Sequence, residues 1–353
     1  MDAEYIRVES EHSAMAAAIG AAASGVRTFT ATSSQGLLYM SEVVFWAAGS
    51  RLPIGMVIVD RAVGPPWNIH ADHQDAMSQR DSGWLQMFVS SAQEALDSVI
   101  MMYKVAENPE VLLPFMVCID AFILSHTYMP VNIPDQAEVD SFLPAYKPPH
   151  WVLDPNSPVD MGNLVMPTED YMEMRWSIHA SMKRAKELLD KTSREFAEKF
   201  GRDHGGSVKA VNLEDADVAI VALGTLSSEA EYALEHIDVA RTGLLKVRMF
   251  RPFPREEVIR LLKDKDVVVV LDRSISFSHS GPLAMEVRSA LYGISEAPKI
   301  VNFIAGLGGR DVTYRDIVSM VNFAVKVPKD EVLPCYWYGL KDRIRNLGWE
   351  EVI

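Results

Sequence analysis

Acidic and imidazole side chains precede a run of small residues near the start of the chain. Glu9, Glu11 and His12 come just before residues 14–25, which read AMAAAIGAAASG. In one interpretation Ser10 caps a helix and Glu11 lies in its first turn, where the helix dipole favours a carboxylate by ~0.3–1 kcal/mol. In the other, the small residues let a cofactor or another chain approach closely, and a poorly solvated carboxyl holds or shares a proton. The spacing leaves both open.

A second candidate for chemistry is an arginine at the end of an apolar run. Arg61 directly follows residues 54–60, IGMVIVD, which predict a strand buried on both faces. Ligands of open α/β sheets bind at the carboxyl ends of the strands. A guanidinium offers a planar fork of donors to a carboxylate or phosphate there. The alternative is an ion pair with Asp60 or with another surface acid.

Four potential metal ligands are concentrated in the loop after this strand. His70, Asp72, His73 and Asp75 lie within a segment that follows a Pro-Pro turn and has no helical period. Imidazole and carboxylate groups bind metals, but nothing in this pattern points the four side chains together. We therefore predict a hydrogen-bonded loop over the edge of the sheet and no metal site.

A glycine-rich stretch lies near the end of the chain. Residues 305–313, AGLGGRDVT, stand between a predicted strand and a predicted helix but lack the full GxGxxG spacing. They favour a sharp turn into the last helix, capped by Thr313, over a phosphate-binding turn.

Alternating strands and helices must position these residues. In the first region we predict a helix at 36–49, a helix at 92–106 and strands at 28–34, 54–60, 85–90 and 115–120. Residues 121–167 are rich in proline and predict an extended linker, which a long helix at about 168–200 follows.

A second βα series completes the chain. Its predicted strands are 218–224, 243–250, 266–272 and 299–306. The sequence therefore predicts an α/β protein with two doubly wound, mostly parallel sheets. We assign residues 1–150 to the first domain, 151–205 to the linker and long helix, and 206–353 to the second domain.

Composition narrows the class of protein. The net charge is −14 over 353 residues, which argues against a nucleic-acid-binding protein. No run of about 18 apolar residues predicts a membrane span, and the N-terminus does not resemble a signal peptide. The two cysteines, Cys118 and Cys335, are too few for an iron–sulfur cluster. Their low number favours the cytoplasm.

Several motifs together resemble one family over nearly the whole chain. They include SEHSAMAAAIG, VDRAVGPPWNIHADHQD, GLLKVRMFRPFP and NFIAGLGGRDVT. The chain resembles the alpha subunits of pyruvate:ferredoxin oxidoreductases, within the 2-oxoacid:ferredoxin oxidoreductases. The resemblance implies a thiamine-diphosphate pyrimidine-type domain followed by a transketolase C-terminal-like domain II. It also implies oxidation of pyruvate with coenzyme A to acetyl-CoA and CO2, or the reverse synthesis, with electrons exchanged with ferredoxin.

The resemblance implies roles for three residues. The glutamate of the family's SEHSA helix, here Glu11, contacts N1′ of the thiamine aminopyrimidine. Arg61 holds the substrate carboxylate or the reacting oxygen, and Ile69 forms a wall of the substrate pocket. Alternatives are a relative that uses 2-oxoisovalerate or 2-oxoglutarate, and a subunit that only assembles its partners.

The resemblance also implies partner subunits. The chain has no Gly-Asp-Gly stretch with a downstream Asn, so the cofactor's diphosphate and Mg²⁺ are expected on a beta subunit, and the 4Fe-4S clusters on beta and delta subunits. Beta, gamma and delta subunits are the expected partners, with ferredoxin docking on a cluster-bearing one. The helix face of Ala16, Ala17, Gly20, Ala21 and Ser24 is expected against another subunit, or else in this chain's own core.

The sequence departs from the family at its beginning. Family members start with an additional strand, a Tyr-Pro-Ile-Thr-Pro turn and a helix, and the turn supplies a threonine near the substrate. The expectation is that this segment belongs upstream of Met1. A start assigned too late, a removed segment and a natural loss are all open.

Overall fold

The computed structural model describes residues 3–162 and 164–353. Within these residues, two mostly parallel sheets pack with helices, which confirms the predicted α/β class. Both sheets consist of short apolar strands, whose side chains alternate between the two faces. In strand β2, Met56 and Ile58 enter one core cluster, while Val57 packs against another.

The first sheet has five strands in the order β1-β2-β4-β3-β8. The first four are parallel, and β8 joins antiparallel to β3. The strands are β1 Phe29–Thr32, β2 Gly55–Asp60, β3 Leu85–Phe88, β4 Phe115–Asp120 and β8 Met249–Arg251. The helices of this half of the chain are α1 Glu11–Ala23, α2 Gln35–Tyr39, α3 Ser41–Gly49, α4 Gln74–Ser78, α5 Ala92–Ala106, α6 Gln136–Phe142 and α7 Tyr171–Phe200.

The second sheet has six strands in the order β11-β10-β9-β6-β7-β5, with β5 antiparallel to β7. The strands are β5 Val208–Val211, β6 Val218–Ala222, β7 Thr242–Val247, β9 Val267–Asp272, β10 Lys299–Ile304 and β11 Tyr336–Trp337. The helices are α8 Gly224–Ala233, α9 Arg255–Leu262, α10 Pro282–Leu291, α11 Tyr314–Lys326 and α12 Asp342–Arg345. One hydrophobic cluster contains both Ile58 of the first sheet and Val270 of the second, so the two halves share a core.

The predicted strand at 243–250 is wrong as a single element. The chain leaves the second sheet after β7 and enters the first sheet as β8. Arg248 lies between the two strands, is 2% exposed and donates to Glu94 of α5 at 2.6 Å. A buried guanidinium requires such a partner, and a continuous apolar run does not reveal that its partner lies in the other half of the molecule. The domain boundary at residue 206 stays a prediction. Strand β8 follows that boundary in the sequence but belongs to the first sheet.

Two further expectations are corrected. The predicted helix at 36–49 is interrupted at Met40, whose ψ of 5° is not helical, although the apolar spacing continues through it. The predicted linker at 121–167 contains α6. Phe142 of α6 packs on Phe196 of α7, with ring centroids 5.5 Å apart, and this contact stabilises the short helix.

The long helix predicted at about 168–200 is confirmed as α7, which packs on elements of the first half of the chain. Ile178, Leu189 and Phe196 are buried there with residues of α5 and β3. Gly201 ends the helix with a left-handed φ of 69°, a conformation that glycine adopts readily. Among the described residues, no helix has both the length and the apolar character needed to cross a bilayer.

Candidate functional site

The helix that carries Glu11 begins as the first interpretation predicts. Ser10 is the N-cap of α1, and its hydroxyl accepts a hydrogen bond from the N–H of Ser13 at 3.2 Å. Glu11 lies in the first turn and is exposed. The poorly solvated carboxyl of the second interpretation is therefore not formed by this chain alone.

A glycine keeps the Glu11 side chain close to the first sheet. A Cβ atom at Gly36 would lie 2.9 Å from Cγ of Glu11 and 2.5 Å from Oγ1 of Thr32. These distances are too short for a carbon, so a larger residue at this position would displace the side chains of Thr32 and Glu11. The glycine thereby leaves room for the Glu11 side chain beside the end of β1.

Glu11 and Arg61 line the same cleft at the carboxyl ends of β1 and β2. Its volume is about 540 Å³. The lining residues are Glu11, Ala31, Thr32, Ser33, Gln35, Gly36, Tyr39, Arg61 and Trp67. Parallel strands bring their ends to one edge of the sheet, which is where ligands of such sheets bind. The cleft therefore combines one carboxylate, one guanidinium and several hydroxyl and amide groups.

Arg61 has no carboxylate within ion-pair distance among the residues that the structure describes, so the alternative of an ion pair with Asp60 or another acid is not observed there. The side chain is half-buried, and its Nε has no hydrogen-bond partner in the described chain. Its guanidinium carbon lies 5.7 Å from the ring centre of Trp67. The guanidinium lines the cleft without a carboxylate partner among the described residues, so its charge is available to an anionic ligand.

Ile69 lies on the loop after β2 and is 37% exposed. It is not among the residues that line this cleft, whereas Trp67, two residues earlier, is. Its role as a wall stays a prediction.

The polar residues at the end of β1 were not among the predicted site residues. Thr32, Ser33 and Gln35 all line the cleft. Arg61 was selected because ligands bind at the carboxyl ends of strands. The same rule could have found these residues, because the segment TSSQ lies at the end of the β-branched run.

Ser34 lies in the turn between β1 and α2 with an unusual backbone. Its φ of 48° and ψ of −121° are unfavourable for a residue with a side chain and cost about 1–3 kcal/mol. The surroundings compensate, because its N–H donates to Asp75 at 2.8 Å and its hydroxyl donates to the carbonyl of Ala62 at 2.6 Å.

The loop of residues 61–83 is hydrogen-bonded, as predicted, but it also contains the short helix α4, which the lack of a helical period did not indicate. Asp72 accepts from the N–H groups of Gln74 and Gly308 at 2.9 and 3.2 Å. Asp75 accepts from the N–H groups of Ser34 and Arg61. Within residues 3–162 and 164–353, no group of three or more metal-ligating side chains could hold a metal ion.

The buried carboxyls of this loop and of β2 have raised pKa values. Burial raises the pKa of Asp75 to about 7, against three backbone N–H groups that lower it. Burial, followed by the charges of Asp75 and Asp120, raises the pKa of Asp60 well above its usual range. Burial therefore disfavours the charged form of Asp60.

A buried ionic cluster connects the loop to the second half of the chain. Asp120, at the end of β4, accepts from Nε2 of His73 at 2.8 Å, from Arg273 at 3.0 Å and from the N–H of Thr225 at 2.7 Å. Burial opposes ionisation, but the charges of Arg273 and His73 and the hydrogen bonds lower the pKa of Asp120 below its usual range. The carboxylate thus connects residues from both halves of the chain.

The glycine-rich stretch forms the predicted turn. Thr313 and Asp316 make a capping box at the start of α11. A Cβ atom at Gly309 would lie 2.3 Å from Cβ of His70, and the N–H of Gly309 donates to the carbonyl of Ala71 at 2.8 Å. The glycines therefore allow close packing against the loop of residues 61–83.

The small-residue face of α1 is not in this chain's core. Ala16, Ala17, Gly20 and Ser24 are exposed, and Ala21 is partly exposed. A Cβ atom at Gly20 would meet nothing within 4 Å. Packing inside the chain's own core is thus the wrong alternative for this face.

The fold and the cleft define an α/β protein with two mostly parallel sheets and a cleft lined by an arginine and a glutamate. Residues 1–194 match the family model described as "Pyruvate flavodoxin/ferredoxin oxidoreductase, thiamine diP-bdg". Residues 216–317 match "Pyruvate:ferredoxin oxidoreductase core domain II".

Similar proteins are known from several archaea. Pyruvate synthase subunit PorA of Methanocaldococcus jannaschii is 48% identical over 97% of this chain and 87% of that protein. The subunit of the same name from Pyrococcus furiosus is 46% identical, with the same coverage of 97% and 87%. Ketoisovalerate oxidoreductase subunit VorA of Pyrococcus horikoshii is 44% identical over 96% of this chain and 86% of that protein.

A solved structure shares the fold. The 2-oxoglutarate:ferredoxin oxidoreductase from Magnetococcus marinus, with 2-oxoglutarate, coenzyme A and succinyl-CoA bound, has a TM-score of 0.64 and 16% identity. The match covers 92% of this chain and 57% of that chain.

The chain belongs to the pyruvate:ferredoxin oxidoreductase family, in the position of the alpha subunit. It is an oxidoreductase subunit with a first domain of the thiamine-diphosphate-binding type. Its relatives are named as subunits, which indicates a multi-subunit enzyme.

Proposed function

We propose that this chain is the alpha subunit of a pyruvate:ferredoxin oxidoreductase and forms half of its thiamine diphosphate site. The enzyme would oxidise pyruvate with coenzyme A to acetyl-CoA and CO2 and pass the electrons to ferredoxin, or run in reverse. The observation that carries the proposal is that Glu11 lines the same cleft as Arg61, whose guanidinium has no ion-pair partner among the described residues.

Glu11 fits the aminopyrimidine of the cofactor. Bound thiamine diphosphate supplies the electron sink for decarboxylation. The carboxyl of Glu11 would hold or share a proton at N1′ of its aminopyrimidine, which is general acid–base chemistry. Gly36 supports this role because it leaves room for the Glu11 side chain at the edge of the cleft. Since Glu11 is exposed here, a partner subunit would have to exclude water from it.

Arg61 fits the carboxylate of a small 2-oxoacid. A guanidinium binds a carboxylate through two parallel hydrogen bonds. The Arg61 side chain lines the cleft and pairs with no carboxylate of the described chain, so its positive charge would attract a substrate carboxylate. Trp67 contributes a flat apolar surface beside the guanidinium, and Ile69, on the same loop, is the proposed wall of the substrate pocket once partners are bound.

The chain does not supply a complete cofactor site. Glu11 is the one acidic side chain and Arg61 the one cation in the lining of the cleft within the described residues. A diphosphate with its Mg²⁺ needs further oxygen ligands and donors. We therefore assign the diphosphate and the Mg²⁺ to a beta subunit. We place the 4Fe-4S clusters on beta and delta subunits of a complex that also contains a gamma subunit, with coenzyme A as the acetyl acceptor.

The exposed face of α1 is the proposed contact with such a partner. Ala16, Ala17, Gly20 and Ser24 are exposed there, and Phe29 of the neighbouring edge strand β1 is 52% exposed. The net charge of −14 would slow encounter with an acidic ferredoxin, so ferredoxin should dock on a partner. We expect a cytoplasmic location, in accord with the two free, buried cysteines.

The test is a ferredoxin-reduction assay of the complete complex with pyruvate, 2-oxoisovalerate and 2-oxoglutarate, each with coenzyme A. We expect the highest kcat/KM with pyruvate. Preference for 2-oxoisovalerate would favour the second candidate, which the 44% identity to subunit VorA supports. No turnover with any 2-oxoacid would contradict the catalytic proposal and favour an assembly subunit.

A further inference from the structure

We propose that Asp75 is a positioning residue for the cleft, because its carboxylate fixes the two main-chain segments that carry the polar groups of the cleft. The inference rests on the proposed role of Arg61 and adds what orients that residue.

A single oxygen atom of Asp75 connects the two main-chain segments that form walls of the cleft, one after β1 and one after β2. Oδ2 of Asp75 accepts from the N–H of Ser34 at 2.8 Å and from the N–H of Arg61 at 3.1 Å. The first group belongs to the turn after β1, and the second follows β2. The remaining oxygen, Oδ1, accepts from the N–H of Ala76 at 2.8 Å. The side chain is fully buried, so water cannot replace it in these hydrogen bonds.

The turn after β1 needs an external partner to keep its shape. Ser34 has a φ of 48°, a conformation that residues with side chains rarely adopt, and Asp75 accepts from its N–H. Ser33 precedes Ser34, and Gln35 and Gly36 begin α2 directly after it; all three neighbours line the cleft. A change at Asp75 should therefore move this wall and Arg61 together.

The short helix that carries Asp75 is fixed by the second half of the chain. Its N-cap residue, His73, donates from its ring to Asp120, and its N–H donates to the carbonyl of Arg273 at 2.9 Å. The position of Asp75 is consequently set by buried contacts and not by the five-residue helix itself.

The experiment compares Asp75→Asn with Asp72→Asn in the complete complex. Asp72 is a matched control because it is a buried acid of the same loop, accepts two backbone hydrogen bonds and does not line the cleft. We expect Asp75→Asn to lower kcat/KM for pyruvate by roughly 10- to 100-fold, mainly through KM. Asp72→Asn should have a much smaller effect on KM.

Hydrogen–deuterium exchange gives a readout that does not depend on turnover. In the wild-type complex the amides of Ser34 and Arg61 should exchange slowly, and in Asp75→Asn both should exchange faster. Fast exchange at either amide in the wild type would overturn the proposal even if the variant does not fold.

Arg61→Ala, measured in parallel, separates this inference from the proposed function. If Arg61→Ala raises the pyruvate KM but Asp75→Asn matches Asp72→Asn in KM and in exchange, the positioning role is wrong and the proposed function stands. If Arg61→Ala leaves the KM unchanged, the proposed role of Arg61 is wrong, whatever the exchange data show.

Discussion

Removal of the Arg61 side chain should weaken catalysis without unfolding the protein. Its guanidinium has no carboxylate partner in the described chain, so Arg61→Ala leaves no buried acid unpaired. Losing a charge-assisted hydrogen bond to the substrate costs about 1.5–3 kcal/mol. That range corresponds to a decrease of roughly 10- to 150-fold in kcat/KM for pyruvate. The melting temperature should change little.

The assay is steady-state ferredoxin reduction by the complete complex at saturating coenzyme A, with pyruvate varied. Arg80→Ala is the matched control, because Arg80 lies in the same segment, does not line the cleft and is 3.6 Å from the exposed Asp81. Arg80→Ala should retain wild-type kinetics. If Arg61→Ala retains them too but lowers the melting temperature, Arg61 is a structural residue and the reasoning is refuted.

Three further predictions concern stability and cofactor binding. Asp120→Asn should lower the free energy of unfolding by about 3–5 kcal/mol because Arg273 stays buried without its carboxylate, as measured by denaturant titration; a loss no larger than that of Asp217→Asn, which breaks an exposed pair, would contradict this. Because the pKa values of Asp75 and Asp272 are raised to about 7 and about 6, the folded state keeps protons that the unfolded chain loses above about pH 4. Their stabilisation is present at about pH 4 and lost as the pH rises to about 7, so the melting temperature should fall between pH 5 and 8, and a rise over this range would refute it. The isolated chain should not bind thiamine diphosphate with micromolar affinity, about −8 kcal/mol, in calorimetry; binding of that strength without partners would show that the site is not shared.

The sequence predicts the location of the cleft because it depends on local patterns. The apolar run of β2 identifies a buried strand, and Arg61 directly follows it. Since parallel strands end at the same edge, Arg61 and the polar residues after β1 had to lie near each other. The cap at Ser10 is equally local, because it depends on a hydroxyl and a backbone N–H three residues apart.

The rest depends on contacts between distant residues. Asp75 is recognisable in the sequence as a polar loop residue, but no spacing indicates that it accepts from Ser34, 41 residues away. The entry of β8 into the first sheet likewise depends on the pairing of Arg248 with Glu94, 154 residues away. Solvation of Glu11 is a property of the assembled subunits and cannot be predicted from the composition of α1.

The most direct test of the account compares Glu11→Gln with Glu9→Gln in the complete complex. Glutamine keeps the shape of Glu11 but cannot share a proton with N1′ in the same way, so kcat should fall by roughly 10²–10⁴-fold with thiamine diphosphate still bound. Glu9 accepts from the hydroxyl of Ser13 at 2.6 Å and does not line the cleft, so Glu9→Gln should retain wild-type turnover. Unchanged turnover in Glu11→Gln would contradict the claim that this chain supplies the carboxyl of the thiamine site.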